Sequence, residues 1–368
     1  MLQAQAVSVE VGGRLLVDRA SFTVMPRDKV GIVGRNGAGK TSLFKVLGGA
    51  DEPAAGKILR KGGFGYLPQD PKIQGDLDGR TCITHILSGK GIDEEIIRME
   101  KLRIAMEEHP DERNVSRYVK AEEMFRTTGG YAADSEARSM AVGLGLPDDR
   151  LDFPLSVLSG GERRRVELAR ILFAGTDVLC LDEPTNHLDI DAKTWLLQYM
   201  RQYKGALLVI SHDLDLLDEA ITRVLHLDRT AEDQVGELIE YRGTYSQYQR
   251  ARAEDESRQI RKAALHSKEI ARMQGVVDRF GAKATKAAMA HSMEKKIARL
   301  EADRVHAPRT SKSFNVRFPP PPPCGETVIT AEDLCKGYGG VTVFEDVDFD
   351  LGRGERLLVL GLNGAGKT

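Results

Sequence analysis

The segment Leu158–Asp189 contains residue types that can bind a phosphate group, and it reads LSGGERRRVELARILFAGTDVLCLDEPTNHLD. Ser159, Gly160 and Gly161 lie in a predicted loop before an amphipathic helix predicted over Arg163–Phe173. The polar face of that helix carries Arg163, Arg164, Glu167 and Arg170. Backbone N–H groups at a helix N-terminus lack intrahelical partners and attract anions. The loop is therefore predicted to bind an oxyanion, although a Gly-Gly turn by itself is more often purely structural.

Two acidic residues, Asp182 and Glu183, follow the short apolar run Val178–Leu181. The run is typical of a strand that is buried on both faces of a parallel sheet. Ligands of α/β sheets bind at the carboxyl ends of the strands, where these two acids stand. Solvated acids after a strand are the alternative reading of this pair alone.

A phosphate-binding loop is predicted upstream of these residues. The apolar strand Val30–Val33 runs into GRNGAGKT, and an apolar helical pattern follows, which is the context that a P-loop requires. Its backbone N–H groups would surround the phosphates, Lys40 would reach the β- and γ-phosphates, and Thr41 would bind Mg²⁺. The predicted nucleotide-binding residues are Gly34, Asn36, Gly37, Ala38, Gly39, Lys40, Thr41 and Ser42.

Two further polar residues follow predicted strands. Gln69 comes after Phe64–Leu67, and His212 comes after the buried run Ala206–Ile210. Each residue alone is more often structural than chemical. The strand before His212 is predicted to lie parallel to those before the P-loop and at Asp182, so that His212 faces the same crevice. The sequence thus predicts an α/β fold.

Helical patterns over Ile92–Glu108 and Val115–Phe125 separate Gln69 from the LSGGE loop. They predict a helical subdomain at about residues 80–165 within a first domain at 1–245. The net charge is −2, and the four cysteines lack a paired spacing, which favours free thiols and no zinc site. The sequence contains neither a long apolar run nor a signal peptide, so a cytoplasmic protein without membrane insertion is expected.

A basic segment follows the first domain. Residues Ser246–Arg317 contain 17 lysines and arginines against 8 acidic residues, a net charge of +9. Helices predicted over Tyr248–Met273 and Thr285–Asp303, with a break at Gly275–Gly281, favour an antiparallel hairpin. A solvated charged spacer is the alternative. Pro319–Pro323 would close this linker, assigned to residues 246–325, as a stiff polyproline segment.

The end of the chain repeats its beginning. Val341–Thr368 overlays Arg14–Thr41 without gaps at an offset of 327 residues. A second P-loop is thereby predicted at Gly361, Asn363, Gly364, Gly366, Lys367 and Thr368. Residues 326–368 are therefore expected to be the first strands of a second nucleotide-binding domain, and the sequence is expected to be a truncated form.

These motifs resemble the ATP-binding cassette superfamily, and within it the ABC-F proteins, which join two cassettes through a basic helical linker. The resemblance covers essentially the whole chain. It implies a P-loop cassette with a helical subdomain, a helical hairpin linker and the start of a second cassette. The sequence EPTNHLD at Glu183–Asp189 is similar to the ABC-F form. One departure is Val11, which stands where an aromatic residue often stacks on adenine, whereas Tyr338 fills the matching place in the repeat.

The resemblance also implies residue roles in ATP hydrolysis. Glu183 would be the general base, Asp182 would hold Mg²⁺ with Thr41, Gln69 would sense the metal and the γ-phosphate, and His212 would bind the γ-phosphate. Ser159, Gly160 and Gly161 would cap the nucleotide of the opposite cassette, whether that cassette lies in the same chain or in another. With one LSGGE motif, this chain is not expected to form both composite sites by itself.

For function, the resemblance implies a cytosolic ATPase that acts on the ribosome, with the linker directed toward tRNA and ribosomal RNA. Clustered lysines and arginines are suited to phosphate neutralisation. Translation regulation, rescue and antibiotic resistance share these motifs. The competing functions are the ATP-binding subunit of a membrane transporter and, with less support, a DNA-repair ATPase.

Overall fold

The structure is a computed structural model that describes residues 1–71, 79–229 and 234–280, with 291–292, 295–299, 316, 319, 325–338 and 341–361. Its strands are β1 (Leu2–Val11), β2 (Arg14–Val24), β3 (Lys29–Gly34), β4 (Ala55–Arg60), β5 (Phe64–Leu67), β6 (Val178–Asp182), β7 (Ala206–Ile210), β8 (Arg223–Asp228), β9 (Glu237–Arg242), β10 (Thr327–Tyr338) and β11 (Val341–Gly352). Its α-helices are α1 (Lys40–Gly48), α2 (Cys82–Leu87), α3 (Ile92–Glu108), α4 (Glu112–Thr127), α5 (Gly130–Gly143), α6 (Gly160–Phe173), α7 (Ile190–Gln202), α8 (Leu214–Ala220) and α9 (Tyr245–Phe280).

The described strands form a six-stranded sheet in the order β5-β6-β7-β3-β8-β9, in which only β9 is antiparallel to its neighbour. The predicted parallel arrangement of the strands before the P-loop, the acidic pair and His212 is therefore confirmed. Every residue of β6 and β7 is buried, as the unbroken apolar runs indicated. The sheet brings the carboxyl ends of β3, β5, β6 and β7 to one edge.

Helices and a second sheet cover the two faces of this central sheet. Leu179 and Leu181 of β6 pack into the cluster that contains α6 and the helical subdomain. Val178 and Cys180, which alternate with them, pack into the cluster that contains α1 and the antiparallel sheet β2-β1-β4. The alternation follows from the two-residue period of a strand. The α/β fold predicted from the sequence is confirmed.

Several predicted boundaries in the helical regions are wrong, and two of them have a clear physical reason. Helix α6 begins at Gly160 rather than at Arg163, because Ser159 and Glu162 form a capping box that satisfies backbone N–H groups at the earlier position. Helix α9 continues through Gly275 to Phe280, where a break was predicted. A glycine in a helix costs only about 1 kcal/mol relative to alanine, and the neighbouring Met273 and Val277 gain packing contacts that favour the continuous helix.

The linker reverses direction after α9. Ile297 packs with Met273 and Val277 in a small buried cluster. In one straight helix, residues 24 positions apart would be separated by roughly 36 Å, so the contact requires the chain to fold back. The predicted second helix Thr285–Asp303 is described only at residues 291–292 and 295–299, which are helical, and the polyproline segment only at Pro319. The rest of both predictions lies outside the described residues.

The hairpin β10-β11 reproduces the hairpin β1-β2 at the offset of 327 residues. Seven backbone pairs match, from Leu2↔Val24 and Ile329↔Leu351 at one end to Val11↔Arg14 and Tyr338↔Val341 at the other. The positive φ angles also recur, 47° at Ala6 and 51° at Asp333. The sequence repeat is therefore also a repeat of strand register.

None of the described helices is both long and apolar enough to cross a bilayer.

Helix α9 is attached to the central sheet through a buried histidine, which predicts a pH-dependent stability. Arg252 Nη1 lies 3.1 Å from His226 Nε2 and donates to it, which requires that nitrogen to be unprotonated. Burial, with a smaller contribution from the Arg252 cation, lowers the pKa of His226 to about 4. Between the ordinary value of 6.5 and this value, the unfolded chain binds a proton that the folded chain does not, so stability is lost as the pH falls.

Lowering the pH from 7.5 to 5.0 should therefore remove about 2 kcal/mol of unfolding free energy through His226 alone. Urea unfolding of the wild-type chain and of His226→Gln at the two pH values measures this contribution. Glutamine retains an acceptor for Arg252 but does not titrate. The unfolding free energy that the variant loses between pH 7.5 and pH 5.0 should therefore be about 2 kcal/mol smaller than the loss in the wild-type chain. An equal loss in both proteins would contradict the expectation.

Candidate nucleotide-binding site

The P-loop connects β3 to α1 in a conformation that depends on glycine. Gly37 and Gly39 have φ angles of 76° and 105°, a region that L-residues with a Cβ rarely adopt. A Cβ on Gly39 would also lie 3.1 Å from a carbon of Leu16. Helix α1 then begins at Lys40, so its free N–H groups and its dipole point toward the loop.

The P-loop, β5, β6 and β7 together line a cavity of about 380 Å³ at the carboxyl edge of the sheet. The lining residues are Leu16, Asn36, Gly37, Gly39, Lys40, Thr41, Ser42, Gln69, Asp182, Glu183, Ile210 and His212. Predicted residues that are separated by up to 176 positions in sequence thus meet in one place. Leu16 lies among them, whereas Val11 is half exposed and does not line the cavity.

Some predicted residues lie elsewhere. Gly34 packs against β8, where an added Cβ would be 2.7 Å from the Leu227 carbonyl oxygen, and Ala38 is buried behind the loop. The LSGGE residues do not line this cavity. In the second P-loop only Gly361 is described, and the predictions for Asn363, Gly364, Gly366, Lys367 and Thr368 lie outside the described residues.

Lys40 is the cation of the cavity and is partly desolvated. Its Nζ donates to the Gly34 carbonyl at 2.8 Å and to the Arg35 carbonyl at 3.1 Å. Burial lowers its pKa, while Glu183 and Asp182 oppose that shift. A bound polyphosphate would offer this ammonium group charged oxygens in place of two neutral carbonyls, and hydrogen bonds between charged groups are stronger.

Asp182 and Thr41 fit the requirements of a magnesium site. Asp182 is fully buried, and apart from the neighbouring Thr41 hydroxyl no described group offers its carboxylate oxygens a hydrogen bond. Burial raises its pKa, and the nearby Thr41 hydroxyl is the first influence that lowers it. An unsatisfied buried carboxylate beside a hydroxyl supplies the hard oxygen donors that Mg²⁺ prefers.

Glu183 is held in an unusual backbone conformation at the end of β6. Its φ angle is 51°, which is strained for a residue with a long side chain. Its N–H donates to the Ile210 carbonyl at 2.8 Å. Its carboxylate accepts from the His212 N–H at 3.1 Å, and His212 Nε2 lies 3.3 Å from the other oxygen. The carboxylate is thus oriented toward the cavity from two sides.

The LSGGE loop forms the N-terminus of α6 and is open to solvent. Ser159 Oγ accepts from the Glu162 N–H at 3.3 Å, and Glu162 Oε2 accepts from the Ser159 N–H at 2.9 Å. A Cβ on Gly160 would meet nothing within 4 Å, and the nearest atom to one on Gly161 would be 3.6 Å away. The space above these glycines can therefore admit an external anion.

Sequence reasoning missed two buried charges on α6. Arg164 and Glu167 were assigned to the polar face, but they are 8% and 9% exposed. Glu167 accepts hydrogen bonds from Arg170 and lies 2.8 Å from His85 Nε2 of α2, and Arg164 contacts the backbone at the end of β6. Hydrophobic periodicity counts arginine and glutamate as polar, so no signal in the pattern identified them.

Comparisons with known proteins agree with this geometry. Two family models, both described as ABC transporter, match residues 17–186 and 231–318. The probable ATP-binding protein YbiT of Escherichia coli is 31% identical over the whole chain and 68% of the relative. The chain belongs to the ATP-binding cassette family. Members of this family are ATP-hydrolysing P-loop NTPases, and the cavity around Lys40 is the candidate nucleotide site of this chain.

Two other relatives are similar to nearly the whole of this chain. The probable ATP-binding protein YheS of Haemophilus influenzae is 33% identical over 98% of this chain and 55% of the relative. The energy-dependent translational throttle protein EttA of Mycobacterium tuberculosis is 33% identical over 97% of this chain and 62% of the relative. The chain thus spans little more than half the length of these relatives.

Among solved structures, the ATP-binding subunit of an ABC transporter aligns with a TM-score of 0.50 at 19% identity. The alignment covers 69% of this chain and 93% of that subunit. It shows the cassette fold and nothing further.

Proposed function

We propose that this chain is part of an ABC-F-type protein that acts on the ribosome, where ATP binding closes two cassettes and hydrolysis releases them. The observation that carries the proposal is the basic, exposed surface of α9. This helix has 36 residues and a length of roughly 54 Å, so it can reach well beyond the cassette. The tasks open to such a protein are translation regulation, rescue and antibiotic resistance.

The charges of α9 are suited to contacts with RNA phosphates. Arg252 and Arg258 form ion pairs within the helix. Arg261, Lys268 and Arg272 are exposed and have no ion-pair partner among the described residues. Their spacing of seven and four residues places them on one face of the helix. Such a row can neutralise several phosphates of ribosomal RNA or tRNA.

The root of α9 is fixed to the cassette, which supports a mechanical role for the linker. The Ser246 N–H and hydroxyl both donate to the Asp218 carboxylate, at 2.7 and 2.9 Å. Asp218 belongs to α8, the helix that directly follows His212 and Asp213. A change of position at His212 upon ATP binding or hydrolysis would therefore be passed to the linker.

The relatives support the same assignment. EttA is named a translational throttle protein, and the second family model matches the segment that includes the linker. We infer the division into a first cassette at 1–245, a linker at 246–325 and the beginning of a second cassette at 326–368. The repeated strand register of β10-β11 supports the last part of this division.

Within the cassette, we infer roles for individual residues. Lys40 and the P-loop N–H groups bind the β- and γ-phosphates, and Thr41 and Asp182 hold Mg²⁺, with Gln69 beside it. When bound, this ion neutralises phosphate charge. Glu183 accepts the proton of the attacking water, and His212 donates a hydrogen bond to the γ-phosphate. Ser159, Gly160 and Gly161 serve the nucleotide of a second cassette, in the same chain or in trans.

Removing the basic row of α9 tests the proposal. The triple variant Arg261→Ala, Lys268→Ala and Arg272→Ala should weaken ribosome binding, and the slope of log affinity against log salt should fall by about 2 to 3 units. ATP affinity should stay unchanged, because none of the three residues lies near the cavity. The measurement is ribosome pelleting across a salt series with the full-length protein in an ATP-trapped form.

The control variant removes three exposed lysines of the cassette, Lys57, Lys61 and Lys204. It changes the net charge equally but should leave the salt slope unaltered. Equal slopes in all three proteins would contradict RNA binding by α9 and would favour a cassette that binds a protein partner, such as a transporter's membrane subunit.

A further inference from the structure

Arg164 connects the helix behind the LSGGE loop to the backbone of Glu183. Its side chain leaves α6 and enters the interior, where the residue is 8% exposed. One nitrogen, Nη2, donates to the carbonyl oxygens of Asp182 at 3.0 Å and Glu183 at 2.8 Å. Two consecutive peptide groups at the end of β6 are thus held by a single guanidinium group.

The burial of this cation is energetically costly. Desolvation lowers the pKa of Arg164, although nearby Asp182, Asp70 and Glu183 favour its charged form. Its Nε receives no hydrogen-bond partner from the described residues. A buried ion with an unsatisfied donor adds little to the stability of the folded protein, and apolar residues of similar size at such positions often give equal or greater stability. A role in stability alone therefore explains Arg164 poorly.

The position of the two contacts suggests a different role. Glu183 has a φ angle of 51°, and such conformations persist only where surrounding contacts determine them. The Ile210 carbonyl accepts from the N–H of Glu183. The Glu183 carbonyl accepts from Arg164 at 2.8 Å and from the Asn186 N–H at a longer 3.3 Å, so the residue is held at both ends of its backbone. Without Arg164, Glu183 could relax toward an ordinary φ angle, and its carboxylate would turn from the cavity.

We propose that Arg164 is a positioning residue that keeps the Glu183 carboxylate in place and links it to the signature helix. The proposal rests on the role of Glu183 as the general base. Because Ser159, Gly160 and Gly161 stand at the N-terminus of the same helix, a displacement of the LSGGE loop moves the Arg164 side chain as well. The loop that would serve one nucleotide is thereby connected to the base that acts on another.

Kinetics of Arg164→Met and Arg164→Lys in the full-length protein test this role. Methionine fills much of the space but donates no hydrogen bond, and kcat for ATP should fall by about 100-fold, as expected for a misplaced catalytic group. The dissociation constant for a non-hydrolysable ATP analogue should change less than twofold, since P-loop contacts remain. Lysine can restore one of the two contacts, and its kcat should lie between those of methionine and wild type.

Arg60→Met is the matched control. Arg60 also donates to two consecutive carbonyls, those of Val46 and Leu47 at 2.7 and 2.8 Å, but at the end of α1 rather than at the end of β6. Its loss should lower thermal stability without the selective fall in kcat. If Arg164→Met does not fold, the proposal is tested by comparing kcat for ATP in Arg164→Lys with kcat in Arg60→Met. A native kcat in Arg164→Lys and Arg164→Met, or an equal loss of kcat in Arg60→Met, would overturn the proposal.

A double-mutant cycle with Glu183→Gln separates this proposal from the role of Glu183. If Arg164 acts through Glu183, adding Arg164→Met to Glu183→Gln should slow hydrolysis by less than threefold more. A further 100-fold loss would show an independent structural effect and overturn the inference. A native kcat in Glu183→Gln alone would instead show that Glu183 is not the general base. That result would contradict the proposed function itself and is distinguishable from a failure of the inference about Arg164.

Discussion

Replacing Glu183 by glutamine is expected to slow ATP hydrolysis at the Lys40 site by roughly 1000-fold while ATP binding is preserved. General-base catalysis typically contributes 100- to 10,000-fold, and glutamine keeps the shape of the side chain but accepts no proton. The contacts of this residue with Ile210, Arg164 and Asn186 involve only its main chain and should persist in the variant.

Single-turnover hydrolysis measures this effect, with the matching change made at a second cassette where the full-length protein has one. Binding of a fluorescent ATP analogue shows whether the site remains intact. Glu219→Gln is a suitable control, because Glu219 is an exposed acid of α8 that pairs only weakly with Arg201 at 3.4 Å. A native rate in Glu183→Gln would assign the general base to another group.

Lys40→Met should lower ATP affinity by at least about 100-fold. Each charge-assisted hydrogen bond to phosphate is worth roughly 1.5 to 3 kcal/mol, and Lys40 can direct the two bonds that it now makes to Gly34 and Arg35 toward a bound nucleotide. Burial already lowers the pKa of this lysine in the free protein. Methionine should therefore maintain or raise the stability of the free cassette even as binding is lost.

Calorimetric titration with ATP and thermal unfolding of the free protein measure the two parts of this expectation. Lys45→Met provides the control, since Lys45 lies five residues later on α1 and is exposed. An affinity within threefold of wild type in Lys40→Met would mean that the P-loop N–H groups provide the binding energy without the lysine.

Much of the candidate nucleotide site could be predicted from the sequence because its parts are locally encoded. The P-loop conformation depends on glycines and a helix start within eight consecutive residues. The buried strands before Asp182 and His212 are apolar runs that are recognisable without knowledge of their neighbours. The repeat of the β1-β2 hairpin was visible at a fixed offset, and the matching register of β10-β11 follows from that local similarity.

The helix start at Gly160 was missed, although Ser159 and Glu162 form a recognisable capping pair. The glycines favoured a loop by their propensity, and the reciprocal hydrogen bonds outweighed it. The predicted break of α9 at Gly275 failed for a related reason. A single glycine weakens a helix only slightly, and contacts of Met273 and Val277 with Ile297 stabilise the continuous form.

The sequence by itself thus determined the phosphate loop, the acidic pair, the charge of the segment 246–317 and the repeat of the first hairpin, all of which depend on neighbouring residues. Only the tertiary structure decided that Arg164 points into the interior, that Glu183 takes a left-handed conformation and that α9 is anchored to α8. These features arise where segments far apart in the chain meet. The free energy of burying a charge or straining a backbone is set there by the partners that the fold provides.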